Sequence, residues 1–172
     1  MTKLFSDLAE SGPSSLGGAG LWVRRSAIAV FVVVVALALL DQIGQQPHDA
    51  VAQGPAARLR LSAPKVVRGG LFFQSRVEIR ALQAIDSPRV VLDTGWAEGM
   101  QINSIEPQPS SESSRDGLLE LSFDKLEAGD LLRLWLEFEA NPTQPGRRPY
   151  GIEIDDHTQP LARVERTITV MP

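Results

Sequence analysis

Two hydrophobic patterns divide the chain. From Ser26 to Ile43, SAIAVFVVVVALALLDQI, the residues are apolar almost without interruption, and Ala27–Leu40 holds no charge at all. From Arg58 onward apolar and polar residues alternate in short runs. The first pattern predicts a helix with no polar face, which suits lipid rather than the surface of a soluble core. Ser26–Ile43 is eighteen residues, or about 27 Å of helix at about 1.5 Å per residue. That nearly spans a hydrocarbon layer of about 30 Å, and snorkelling arginines with slight bilayer thinning can cover the shortfall. The β-branched run Val32–Val35 disfavours helix in water, but in lipid the backbone has no other way to satisfy its hydrogen bonds.

The second pattern predicts strands, because period two places alternate side chains on opposite faces. Arg58–Leu61 alternates until Pro64 interrupts it, and Lys65–Arg68 forms a short second piece before Gly69-Gly70 turns the chain. In Phe73–Ala81, Phe73, Val77, Ile79 and Ala81 face one way, with Gln74, Arg76, Glu78 and Arg80 opposite. Arg89–Asp93, Met100–Ile105 and Leu118–Phe123 follow as strands, with the polar stretch Glu106–Gly117 expected as a mobile connection. Leu131–Ala140 carries the strongest signal. Leu132, Leu134, Leu136, Phe138 and Ala140 share one face, while Arg133, Trp135, Glu137 and Glu139 share the other. Asn141–Pro149 reads as a Pro-rich loop, and Tyr150–Ile154 and Ala162–Val170 as two closing strands. Seven to nine short strands separated by turn signals, with no second helix, predict an all-β antiparallel sandwich. The Leu126-Glu-Ala-Gly-Asp130 turn before the long strand and the closing Ala162–Val170 run, ARVERTITV, resemble bacterial immunoglobulin-like and fibronectin-type-III-like envelope modules over Arg58–Pro172. The resemblance is architectural and implies no functional residue.

Charge orients the predicted span. Arg24 and Arg25 precede it, whereas Asp41 and Asp49 follow, with no Lys or Arg before Arg58. Positive flanks stay inside, so the expectation is a single-pass protein of the inner (cytoplasmic) membrane, with its C-terminal domain in the periplasm or outside. Trp22 would lie at the headgroup level. The expected organisation is a cytoplasmic tail over residues 1–21, a transmembrane helix over 22–43, a spacer over 44–57 and the sandwich over 58–172. The tail itself reads as a short amphipathic piece, Lys3–Glu10, and a flexible linker, Ser11–Gly20. A cleaved signal is the rival, since Ala36-Leu37-Ala38 has the small-x-small form of a peptidase site. Leu39 and Leu40 continue the apolar run past that site, and the residues after Arg24-Arg25 lack the bulky pair of a twin-arginine signal.

Composition narrows the function classes by exclusion. The formal charge is −4, and after residue 57 there are 14 basic against 17 acidic residues, with no basic stripe that would suit nucleic acid. The absence of cysteine leaves no disulfide and no thiolate metal site. It also tilts the reading towards a bacterial envelope. His48 and His157 cannot make an ordinary zinc site, and the acidic turn Glu153, Asp155, Asp156, His157 lacks calcium-loop spacing. There is no nucleophile elbow and no phosphate-binding glycine loop.

No catalytic residue and no cofactor is therefore expected. The predicted partners are the lipid bilayer and another membrane or envelope protein. Trp135, among charged neighbours, should be exposed and could anchor an interface together with Arg133. Trp96 could cap the core or serve as a loop contact. Arg147 and Arg148 could touch lipid phosphates or a partner's acids. Glu137 and Glu139 are expected to pair with Arg76 or Arg80 across strands. The sequence supports a non-catalytic interaction or accessory subunit, with a ligand-sensing periplasmic domain and an exported soluble domain as alternatives.

Overall fold

The computed structural model describes residues 16–39 and 45–172. The chain divides into two units, residues 1–44 and residues 45–172.

Helix α1 runs Leu16–Leu39. Every described side chain from Gly20 to Leu37 is exposed, and this window has a mean hydropathy of 1.9 over 18 residues, long and apolar enough to cross a membrane. The helix begins six residues before the expected Trp22 and takes in the end of the expected flexible linker, Leu16–Gly20. Three of those five residues are glycines, each costing about 1 kcal/mol in a helix relative to Ala, but the apolar run downstream spares them the cost of nucleation. Trp22, Arg24 and Arg25 all lie on this helix. Asp41 and the expected end at Ile43 lie outside the described residues.

The second unit is an immunoglobulin-like β-sandwich of thirteen strands among the described residues. One sheet contains β1 (Pro47–Gln53), β2 (Ala57–Pro64), β4 (Phe72–Ala81), β9 (Leu131–Ala140) and β6 (Met100–Glu106), in the order β1-β2-β4-β9-β6. The facing sheet has β12 (Gln159–Val164), β11 (Ile152–Asp156), β5 (Pro88–Leu92), β8 (Leu118–Ser122) and β7 (Ser111–Arg115), in the order β12-β11-β5-β8-β7. A small third sheet, β10-β13-β3, joins Gly146–Pro149, Thr167–Met171 and Val66–Arg68. Its β13–β3 pairing is parallel, and all the others are antiparallel.

Three expected connections prove to contain ordered strands, and one expected strand divides in two. The expected spacer over 44–57 contains β1, paired along its whole length with β2. Its inward side chains are Ala50 and Ala52, too small to show as a strand pattern, and Pro47 sits at the first residue of an edge strand, where its missing N–H costs nothing. The expected mobile segment contains β7, an edge strand exposed at all five residues and therefore without alternation. The expected Pro-rich loop ends in β10. The expected final strand is two, β12 and β13, because the chain changes sheets at Glu165-Arg166. Arg166 holds that crossing. Its Nη1 donates to His48 O at 2.6 Å and its Nη2 to Ala63 O at 3.1 Å, while its own carbonyl accepts from Tyr150 N–H at 2.7 Å.

The core forms where the inward rows of β2, β4 and β9 meet those of β5, β8 and β11. Its aromatic centre is Phe73, Phe138, Trp96 and Tyr150, with Trp96 stacked on Tyr150 at 3.8 Å between ring centroids. Ser75 is fully buried, yet its hydroxyl lies 2.8 Å from the Tyr150 hydroxyl, so both polar groups are satisfied. Burial holds the Tyr150 phenol well above its ordinary value, against the smaller opposing effects of the Ser75 hydroxyl and the Arg166 charge.

Candidate interaction face

Alternation along β9 decides which of its side chains can meet a partner. Its even-numbered residues from Leu134 to Ala140 are buried, so Arg133, Trp135, Glu137 and Glu139 project from the outer side of the five-stranded sheet. Register with the neighbouring strands then assembles rows across that side. Trp135 lies opposite Arg76 on β4 and Glu106 on β6, and the row continues through Ser62 to Asp49. Trp135 is 38% exposed in the middle of this row.

On one side of that row the rows are basic. Arg58 stands directly opposite Arg80, and Arg60 and Arg133 flank Glu78. Like charges directly opposite are unfavourable. Arg60 pairs with Asp49 and more loosely with Glu78 at 3.9 Å, and Arg133 reaches Glu78 at 3.6 Å. Bonding to the Arg60 guanidinium holds Asp49 below its ordinary value. Arg58 and Arg76 make no ion pair among the described residues, and Arg80 only donates to Gly129 O at 3.4 Å. Arg58, Arg60, Arg80 and Arg133, with Glu78 and Leu131, line a depression of about 260 Å³.

On the other side the face is acidic. Glu137 stands opposite Gln74 and Glu139 opposite Phe72, so the expected pairing of these acids with Arg76 or Arg80 does not form. Antiparallel register puts Arg80 at the far end of β4 from the glutamates of β9 and Arg76 opposite Trp135, one row short of Glu137. Glu137 accepts only a long bond from Ser104 Oγ at 3.4 Å, and neither it, Glu139 nor Glu106 makes an ion pair among the described residues. Phe72 is 61% exposed beside Glu139. The face is thus bipolar, with unpaired cations at one end, unpaired carboxylates at the other and an indole between them.

The other expected contact residues divide. Trp96 is fully buried, and its indole N–H donates to Gly151 O at 2.7 Å. It is removed as an interface residue and stands as a core cap. It sits in a single 3-10 turn, Thr94–Trp96, that brings Gly95 against the Pro149 backbone. Arg147 and Arg148 lie on β10, not in a loop. Arg147 reaches Thr167 Oγ1 at 3.5 Å, and Arg148 donates to Gln144 O at 2.8 Å.

The outer side of the second sheet carries a polar network that sequence reading missed. Arg89 lies between Glu120 and Asp155, each at 3.3 Å. Burial and the neighbouring Glu153 push the Asp155 carboxyl up. Arg163 bridges Asp93 at 2.9 Å and Glu153 at 2.8 Å. Each acid here already meets a cation, which describes structural cross-strand pairing. Asp156 turns away to accept from Ser87 N–H at 2.9 Å and lies 3.0 Å from His157 Nδ1. Among the described residues no group of three or more His, Asp or Glu is placed to hold a metal ion.

No protein-family model matches the chain, and no curated protein matches it. Solved structures similar to it include a non-cellulosomal cohesin from the archaeon Archaeoglobus fulgidus, 12% identical, covering 74% of this chain and 92% of that one at a TM-score of 0.41. A CARDB domain from Pyrococcus furiosus, solved in complex with di-metal ions, is 14% identical over 74% of this chain and 90% of its own, at 0.41. The CaCohA2 domain of Clostridium acetobutylicum is 12% identical over 74% and 92%, again at 0.41. Similarity at this level carries no argument about partner or ligand.

Proposed function

We propose that this chain is a membrane-anchored, non-catalytic interaction module. In this reading α1 stays uncleaved in the inner membrane with the N-terminus inside, and the sandwich works outside as an accessory subunit of a membrane or envelope complex. The observation that carries the proposal is the outer face of the β1-β2-β4-β9-β6 sheet. There Trp135 stands exposed between unpaired arginines and unpaired glutamates. A large aromatic ringed by polar groups is the composition of an interface anchor, and charges left unmatched within one molecule favour a partner that matches them.

Two experiments test it. Carbonate extraction of membranes, with intact-mass measurement of the recovered protein, should find the full-length chain in the pellet; a soluble product starting near Leu39 would refute the anchor. Gentle detergent extraction should recover the chain in a complex that Trp135→Ala dissolves. A solitary monomer, or a complex indifferent to Trp135→Ala, would refute the face.

One observation favours a second reading, ligand binding. Between the free edges of β6 and β7 lies an open cleft of about 500 Å³, with Ile102, Ile105 and Leu119 on its floor and Glu106, Gln108 and Glu112 on its rim. Ile105→Trp should block a ligand there while leaving the complex intact, and loss of the complex by this change would count for the cleft over the sheet face.

A further inference from the structure

The bipolar face has a property that neither of its ends has separately: it is complementary to itself. We propose that its partner is a second copy of this chain, packed sheet against sheet about a two-fold axis that lies along the Trp135–Arg76 row. The proposal rests on the sheet face being the interaction surface.

The geometry follows from register. Residues 133 and 137 lie two positions either side of Trp135 on β9, about 7 Å away in each direction at about 3.4 Å per residue. A two-fold axis across the strands at Trp135 reverses the strand direction of the second copy. It therefore lays Arg133 of one copy over Glu137 of the other, and Glu137 over Arg133. On β4, whose register with β9 sets Arg80 opposite Leu131 and Phe72 opposite Glu139, the same operation lays Arg80 over Phe72. A guanidinium over an exposed ring is itself an attractive contact. Trp135 meets Trp135 on the axis. Arg76, Glu106 and Asp49 each meet their own copies there too, and because this row carries both signs the cation lies among carboxylates from both copies. A two-fold axis along the strands would instead set the basic rows against each other and the acidic rows against each other, so the charges choose one packing.

That axis overlaps β4 and β9 along most of their length and β1 and β2 in part, but β6 hardly at all, because Glu106 ends β6 at the axis. At about 4.8 Å between strands and about 3.4 Å per residue the overlap is roughly 450 Å² per copy, the size of a weak, transient interface.

The chain contains no cysteine, so introduced thiols report without background. Full-length chains carrying Arg133→Cys with one tag, and Glu137→Cys with another, are co-expressed and treated in native membranes with a short bis-thiol crosslinker of about 10 Å reach, matching the spacing of packed sheets. The mixed 133–137 product should exceed the 133–133 and 137–137 products at least fivefold, and Trp135→Ala should abolish it. Mixed and like products in equal amounts, or none, would overturn the proposal.

Charge reversal gives a second arm, read as tagged copies co-purifying with differently tagged copies. Arg133→Glu alone and Glu137→Arg alone should each weaken self-association tenfold or more, and the double reversal should restore it, because in a two-fold pair each change repairs the other. Failure of the double reversal to restore also overturns the proposal. If self-association is absent but Trp135→Ala still releases a different protein, the partner is heterologous and only this inference falls. If Trp135→Ala alters no complex at all, the reading of the face falls with it. Melting temperatures of all variants within a few degrees of the parent confirm that folding is not what changed.

Discussion

Trp96 is the residue on which the sandwich depends most measurably. It is fully buried, stacked on Tyr150 at 3.8 Å and tilted against Phe138 at 5.3 Å, and it donates its indole N–H to Gly151 O at 2.7 Å. Trp96→Phe keeps an aromatic ring in the stack, but it removes part of the buried area and leaves the Gly151 carbonyl without that donor. The area lost is worth about 1 kcal/mol, and the orphaned acceptor about another 1 kcal/mol. The expected cost is therefore about 2 kcal/mol, and for Trp96→Ala, which opens a cavity as well, about 3–5 kcal/mol. For a domain of this size each kcal/mol lowers the melting temperature by roughly 3–5 °C. Trp96→Phe should then melt roughly 6–10 °C below the parent by circular dichroism, while Trp135→Ala, taken from an outer face, should stay within about 1 kcal/mol. A Trp96→Phe protein that melts with the parent, or a Trp135→Ala protein that falls as far as Trp96→Ala, would refute the assignment of one tryptophan to the core and the other to the surface.

Further outcomes follow from the same contacts. Arg166→Ala removes the donors to His48 O and Ala63 O and should cost about 2 kcal/mol by urea titration, with hydrogen exchange rising first in β1. Gly95→Ala would drive a methyl into the Pro149 carbonyl, so it should destabilise more than Trp96→Phe and be insoluble or melt broadly. Asp156→Ala should cost about 1 kcal/mol at neutral pH. The Asp156 carboxyl is held below its ordinary value by the Ser87 N–H, so its contribution is present above the ordinary aspartate range and is lost as pH falls through the depressed value; the gap between parent and variant should close in acid. Asp155 has the opposite sign, because burial raises it. Relative to Asp155→Asn, the parent should lose stability as pH rises from the ordinary aspartate value through the raised one, and a flat difference across that range would refute the raised value.

How much of this was legible in the sequence depended on side-chain size. β4 and β9 stand out because large apolar residues alternate with charges over ten positions each. β1 and β7 were invisible for two different reasons. β1 turns only alanines inward, and β7 is a two-sided polar edge whose strand state comes entirely from pairing with β8. The α1 start was missed because glycine and alanine carry no period, and the apolar run downstream decides their conformation. Trp135 was readable as an outward residue from its neighbours alone. Trp96 was not assignable, since a turn residue has no alternation to orient it, and only the Tyr150 stack and the Gly151 bond place it inside.

The same limit explains why the bipolar face escaped sequence reading even though Trp135 and most of its charged residues stood out. Arg76, Arg80, Glu137 and Glu139 alternate with apolar residues in their own strands, and that pattern says only that they point outward. Whether they neutralise one another depends on register, and register is a relation between strands 60 residues apart. Had β9 paired with β4 in parallel, the basic end of one strand would lie beside the acidic end of the other and the face would be internally matched. The antiparallel register instead sets Glu137 opposite Gln74 and Glu139 opposite Phe72, while Arg80 meets Leu131. That leaves both charge sets unspent within one molecule. The strand pairing itself thus leaves these charges unmatched, and no rearrangement of side chains within the sheet can bring Arg80 to Glu137 or Glu139; under the proposal above, it is a second molecular surface that matches them.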